Sequence, residues 1–218
     1  MKELRYTLLS DGSSDKALMP ILTWLLLEHN ITAPIQSQWA DLRRLRNPPN
    51  TLAERMKWSV YLYPCDLLFV HRDAETESVQ ARVEEIEKAL EGVKDKIQLG
   101  REGTVCVVPV RMTEAWLLLD EKALRLAAGN PHGRRPLSLP SINEVENLPD
   151  PKGILYRLLH QASGLSGRRL KRFRASTATQ RITDFISDFS PLRALSAFQT
   201  LEREIKQVVR GQRWASES

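Results

Sequence analysis

Asp66-Leu67-Leu68-Phe69-Val70-His71-Arg72-Asp73-Ala74-Glu75 is the stretch on which the reading of this chain turns. Its apolar run, 67–70, is continuous rather than alternating, as a strand buried on both faces should be. The same holds for 105–108, Val-Cys-Val-Val, within an apolar strand spanning 104–110. Residues 1–10, with Tyr6, Leu8 and Leu9, read as a first strand, and 31–39 as a second. Between these runs the apolar residues recur at helical spacing. Leu18, Ile21, Leu22, Leu25 and Leu26 mark a helix over 16–28, with Pro20 in its tolerated first turn. Residues 51–61 and 77–90 give two more. Strands alternating with helices predict an α/β fold, a mostly parallel open sheet with helices on both faces.

Further along, 113–128 is helical with a break near Asp120, and 129–151 is loop-rich, carrying Pro131, Pro136, Pro140, Pro149 and Pro151. Helical spacing returns over 154–161, 178–189 and 192–209. The expected organisation is an α/β domain over 1–128, a Pro-rich loop over 129–151, and a helical, basic extension over 152–218 packed on the core.

The 218 residues carry 42% hydrophobic and 27% charged side chains, which excludes whole-chain disorder. The net charge of +5 is uneven. Residues 1–160 hold 21 basic and 22 acidic groups, and 161–218 hold 11 and 5, so −1 is followed by +6. That asymmetry points to a polyanion or an anionic surface. Cys65 and Cys106 lack metal-type spacing, and His29, His71, His132 and His160 are scattered. Two thiols without a secretory signal predict a reducing cytoplasm. The longest apolar run, near Leu25, falls far short of the roughly 18 residues a span requires, so no membrane partner is expected.

Ligands of open parallel sheets bind beyond the carboxyl ends of the strands. Asp11 and Asp15 follow the first strand, Asp73 and Glu75 the third, and Glu114 the fourth. Each has a plainer reading. Asp11 or Ser13 caps a helix, Asp73 and Glu75 are solvated loop residues, and Thr113-Glu114 starts a helix. Together, however, carboxylates on one edge repel one another unless a cation joins them. Hard oxygen ligands select Mg²⁺ or Mn²⁺, and two such ions serve phosphodiester displacement. In extended backbone Asp73 and Glu75 would share a face and one metal. Arg72 and Arg111 flank these acids, either to hold a phosphate or to neutralise the carboxylates. His71 is either a proton-transfer group or a structural strand-end histidine.

The segment Asp11-Gly12-x-x-Asp15 between strand and helix resembles the opening motif of the TOPRIM fold, and 68–75 resembles its Asp-x-Asp strand. The stretch 108–120, Val-Pro-Val-Arg-Met-Thr-Glu-Ala-Trp-Leu-Leu-Leu-Asp, is similar to a bacterial family of unknown function with a TOPRIM-like core. That family is related to the nuclease part of overcoming-lysogenization-defect proteins and is often encoded beside an ATPase in defence clusters. Ser196-Ala197-Phe198-x-x-Leu201 is similar to it as well. The resemblance implies metal-dependent phosphoryl transfer. Asp11 would be the general acid or base and a metal ligand, Asp15 a supporting ligand, Asp73 and Glu75 ligands of the first metal, and Glu114 of the second. Asp11 stands where the family has Glu, and Glu75 where it has Asp.

Two basic clusters fit such a site. Arg168, Arg169, Lys171, Arg172 and Arg174 surround Leu170 and Phe173, and Arg43, Arg44 and Arg46 follow the second strand. Both would bind nucleic-acid phosphates in a salt-sensitive manner, or else form solvated faces or dock an acidic partner. There is no Walker A loop, so an ATPase would be a separate subunit. The expected function is a Mg²⁺- or Mn²⁺-dependent nuclease or nuclease subunit, with DNA placed ahead of RNA as substrate. Two alternatives stay open: a degenerate binding or regulatory subunit of an ATPase complex, and a phosphotransfer enzyme acting on small molecules. An oligomer is compatible with all three.

Overall fold

A computed structural model describes residues 3–210, so the outer ends of the expected first strand and of the 152–218 region lie outside the described residues. Four strands, β1 Leu4–Leu9, β2 Ile35–Trp39, β3 Leu67–His71 and β4 Thr104–Val107, form one sheet. Their order is β2-β1-β3-β4 and every neighbouring pair is parallel. The α/β class and the parallel sheet expected from the sequence are thus observed.

Strand alternation sorts the core into two layers. Tyr6, Leu8, Leu67, Phe69, Val105 and Val107 face one cluster, which α1 Leu18–Glu28 covers. Leu9, Leu68, Val70 and Cys106 face the other, covered by α2 Leu52–Leu62 and α3 Val79–Glu91 through Met56, Ile86 and Leu90. Four helices follow α4 Glu121–Ala127: α5 Pro151–Ser163, α6 Gly167–Arg172, α7 Ala175–Thr179 and α8 Ser196–Arg210. Leu155, Leu158, Phe198, Leu201 and Ile205 from this later part join the layer of α1. Phe198 meets Trp116 edge to face at 5.4 Å.

Local chemistry explains most element ends. Thr51 Oγ1 accepts the Glu54 N–H at 3.2 Å and Ser78 Oγ the Ala81 N–H at 3.1 Å, capping α2 and α3. The break near Asp120 is a cap too: its carboxylate accepts the Ala123 N–H at 3.0 Å and starts α4. Pro151 opens α5 behind the Asp150 cap, and Gly164 closes it with φ 65°.

Three elements are shorter than the sequence pattern predicts. β2, expected from residue 31, starts at Ile35, just after Pro34. β4 ends at Val107, before Pro109. The helix expected over 178–189 is a short α7 and a 3-10 turn, Thr183–Phe185. Thr179 Oγ1 bonds back to the Ala175 carbonyl at 3.0 Å, the hydroxyl competition that weakens helices. Among the described residues no helix is long and apolar enough to cross a membrane.

Candidate functional site

β1 sends its chain outward to β2 and receives it back as β3 on its other side. Such a reversal of strand order opens a crevice at the carboxyl ends of the two central strands. β1 runs into Ser10-Asp11-Gly12, and a 3-10 turn, Ser14–Ala17, then turns Asp15 inward. Asp15 is only 6% exposed, and its carboxylate accepts the Gly12 N–H at 2.8 Å and the Ser14 hydroxyl at 3.2 Å.

β3 ends at His71, which is buried beneath this turn. Its Nε2 lies 2.7 Å from Thr113 Oγ1 and 3.3 Å from Asp73 Oδ1. Thr113 also donates its backbone N–H to Asp73 Oδ1 at 2.8 Å and its hydroxyl at 3.3 Å. His71 Nδ1 is buried without a hydrogen-bond partner, 3.8 Å from Asp15 Oδ2. Burial pushes the imidazole pKa down, but the bond and charge of Asp73, with Asp15 and Asp11 behind, carry it above its ordinary value. Burial likewise raises the Asp73 carboxyl, yet His71 and Thr113 bring it below the usual range. The two shifts describe one ion pair.

Glu114, 4% exposed, lies on the 3-10 turn Thr113–Leu117. Burial first, with repulsion from Asp73 and Asp15, pushes its carboxyl above the ordinary range against the pull of its own backbone N–H and of Lys152. Lys152 Nζ stands 3.5 Å away, and Glu114 raises that ammonium in turn. Lys152 is the second residue of α5, which packs on the turn that carries Glu114.

Asp15 and Asp73 therefore flank His71, Glu114 is near enough to be repelled by both and pairs with Lys152, and the other two expected ligands are held by arginines. Arg55 and Arg72 both hold the Asp11 carboxylate, the latter at 2.7 Å. Glu75 corrects the shared-face expectation. Its backbone is left-handed, φ 54°, because the chain turns after β3 and tucks Ala74 into the α2–α3 layer. The Glu75 side chain is 61% exposed and its nearest cation is Arg82 at 3.9 Å. Among the described residues no group of three or more His, Cys, Asp or Glu side chains closes to metal-holding distance. The cations of the chain itself, Lys152 and His71, sit on the acids.

The expected phosphate-binding residues divide similarly. Arg72 is spent on Asp11 and, at 3.2 Å, on Glu85. Arg111, φ 64°, accepts the Glu75 N–H on its carbonyl at 2.8 Å and lines a cleft with Glu75 and Glu146. Arg43 and Arg44 both pair with Asp41, at 3.2 and 3.0 Å, while Arg46 is exposed. By contrast Arg168, Arg169, Lys171, Arg172 and Arg174 are all exposed and make no ion pair among the described residues. The segment that follows them, α7, packs on the turn of Asp15, and Gln180 Nε2 reaches Ser13 Oγ at 3.5 Å. So the basic helix is joined directly to the wall of the crevice.

Sequence reading missed Arg55, Thr113 as a partner of Asp73, and Lys152. Arg55 lies one turn into α2 and Lys152 more than 35 residues beyond Glu114, so only the tertiary packing brings them to these acids. Comparison with protein-family models, with curated proteins and with solved structures gives no match for this chain.

Proposed function

We propose that the crevice is a divalent-metal phosphodiester-cleaving centre of TOPRIM type, and the chain a nuclease or nuclease subunit acting with an ATPase in bacterial defence. The observation that carries this reading is the gathering of three nearly or partly buried carboxylates, Asp15, Asp73 and Glu114, at the strand-order reversal of a parallel sheet. The ATPase and the defence setting rest on the sequence resemblance alone.

The residues suit a hard cation. The donors are carboxylate oxygens, the ligands such ions prefer, and the chain's own cations already stand against them, Lys152 3.5 Å from Glu114 and His71 3.3 Å from Asp73, marking where positive charge is favoured. Asp15, Asp73 and Glu114 would hold Mg²⁺ or Mn²⁺, which when bound supplies charge stabilisation at the phosphate and an activated water. His71 and Thr113 orient Asp73, as outer partners of metal ligands do. Lys152 compensates Glu114, and Arg55 with Arg72 immobilises Asp11. The unpaired cations of α6 would gather the nucleic-acid backbone, with binding that weakens steeply as salt rises.

A catalytically silent binding subunit is the second reading, and the capture of Asp11 by two guanidiniums favours it. One experiment separates the two. Purified protein is given Mn²⁺, plasmid DNA or RNA, and its cognate ATPase, beside an Asp73→Asn variant. Cleavage by the wild type that falls by at least about 100-fold in the variant supports the nuclease. Nucleic-acid binding with every substrate left intact supports the silent subunit and removes the enzyme.

A further inference from the structure

The two outer edges of the sheet are treated differently. At β4 the Cys106 N–H donates to Glu204 Oε2 at 3.0 Å, and α8, which carries Glu204, packs along the strand. That edge is closed by a carboxylate. β2 pairs with β1 alone. The Leu4 N–H bonds the Pro34 carbonyl at 2.9 Å, and the Ala40 N–H bonds the Leu8 carbonyl at 2.9 Å. In a parallel ladder successive residues alternate between neighbours. Residues 34, 36, 38 and 40 therefore face β1, and Ile35, Ser37 and Trp39 present their N–H and C=O groups outward. None of these outward groups has a partner among the described residues.

Natural edge strands are usually blunted by charge, proline or bulges. β2 is short, five residues, and Lys16 and Arg43 stand 4.3 and 5.1 Å from the Trp39 ring at its end, but the strand itself holds no charge or proline. Residues 31–40 carry no Asp, Glu, Lys or Arg in a chain that is 27% charged, and Pro34 lies just before the strand. Gln36 and Ser37 are exposed. On the α1 side an apolar groove of about 330 Å³ opens beside the strand, lined by Thr23, Trp24, Leu27, Ser37 and Phe189. Leu27 at its rim is 56% exposed.

The geometry points to a two-fold dimer in which β2 of one chain pairs antiparallel with β2 of a second copy, making one continuous eight-stranded sheet. The outward groups accommodate this occupant, and the uncharged strand together with the exposed Leu27 at the groove rim favours it. With the axis at Ser37, Ser37 faces its own copy and Ile35 faces Trp39 of the other chain. These are the hydrogen-bonded positions of an antiparallel ladder, so every outward N–H meets an outward C=O. A charge near such an axis would meet itself, and the strand holds none. The same axis sets the two α1 helices side by side on one face. Leu27 and the apolar groove of each copy then lie on the side that faces the other, where their contact would add the buried area that a five-residue strand pair alone lacks.

The test is sedimentation equilibrium of the full chain from about 1 to about 100 μM, a range that spans weak and firm dimers. Two variants accompany it. Ser37→Pro removes an outward donor and leaves the ladder to β1 intact; Leu27→Lys charges the groove rim at an exposed position. The expected result is a concentration-dependent dimer whose affinity falls at least about tenfold in each variant, with unchanged circular dichroism. Should Ser37→Pro fail to fold, Leu27→Lys decides alone. A wild type that stays monomeric overturns the dimer, including the case in which β2 instead accepts an extended segment of another protein. So does a dimer that the variants leave at full strength.

Discussion

Thr113 shows how the site depends on single atoms. Its hydroxyl meets His71 Nε2 at 2.7 Å and Asp73 Oδ1 at 3.3 Å, while its N–H fixes the same Asp73 oxygen. Thr113→Val keeps the shape and removes the hydroxyl. It leaves a buried imidazole with Asp73 as its only partner, at a cost of about 1–3 kcal/mol. Urea denaturation measures that loss. If Asp73 ligates a cation, Mn²⁺ affinity by titration calorimetry falls by about 10- to 100-fold, as when an outer partner of a ligand is removed; an unchanged affinity would count against Asp73 as a ligand. The acids themselves were legible in the sequence, since strand ends are readable and Asp11, Asp15, Asp73, Glu75 and Glu114 all follow one. Which of them converge was not. Glu75 leaves the group through a left-handed residue that no local pattern signals, and Asp11 is taken by Arg55 from a helix beyond β2.

At the scale of elements, the carboxyl end of α1 is tied to the middle of α8 by a charged clamp. Arg193 donates to both Glu202 oxygens, at 2.9–3.2 Å, and to Glu28 at 3.1 Å. His29 Nε2 lies 3.0 Å from Glu202. Burial acts to raise the Glu202 carboxyl, but Arg193, Lys206 and His29 bring it below its ordinary 4.5. The imidazole of His29 is lowered, chiefly by burial. The folded Glu202 thus holds its proton less tightly than the unfolded one. Its contribution to stability is present above about pH 4.5 and is lost as pH falls through the lower folded value. Glu202→Gln lowers stability at pH 7 by about 1–3 kcal/mol, and the difference from the wild type narrows below pH 4.5. Chemical denaturation at several pH values checks both statements; a difference that grows in acid contradicts the sign. The elements themselves were largely visible beforehand, because caps are local: Thr51, Ser78 and Asp120 each mark the boundary seen, while the helix expected from 154 begins three residues earlier, at Pro151 behind the Asp150 cap. The helix expected over 178–189 failed where threonine hydroxyls and tertiary packing overrode apolar spacing.

For the whole molecule, the core runs across the boundary expected at residue 128. One layer belongs to 1–128 alone, with α2 and α3 on Leu68, Val70 and Cys106. The other is completed by Leu155, Leu158, Phe198, Leu201 and Ile205, which lie beyond it. Removing 129–218 would bare Trp116, now fully buried, along with much of the apolar face around α1. Such an uncovered face favours collapse without fixed packing. A fragment of residues 1–128 is therefore expected to bind ANS and to give a poorly dispersed amide spectrum. In the full chain, Phe198→Ala, which empties the partner of Trp116, costs about 3–5 kcal/mol and acts within a single unfolding transition. A fragment with native-like dispersion, or a Phe198→Ala chain that melts in two steps, would mean that the first 128 residues fold by themselves and that the basic helices are an attachment rather than half of the core.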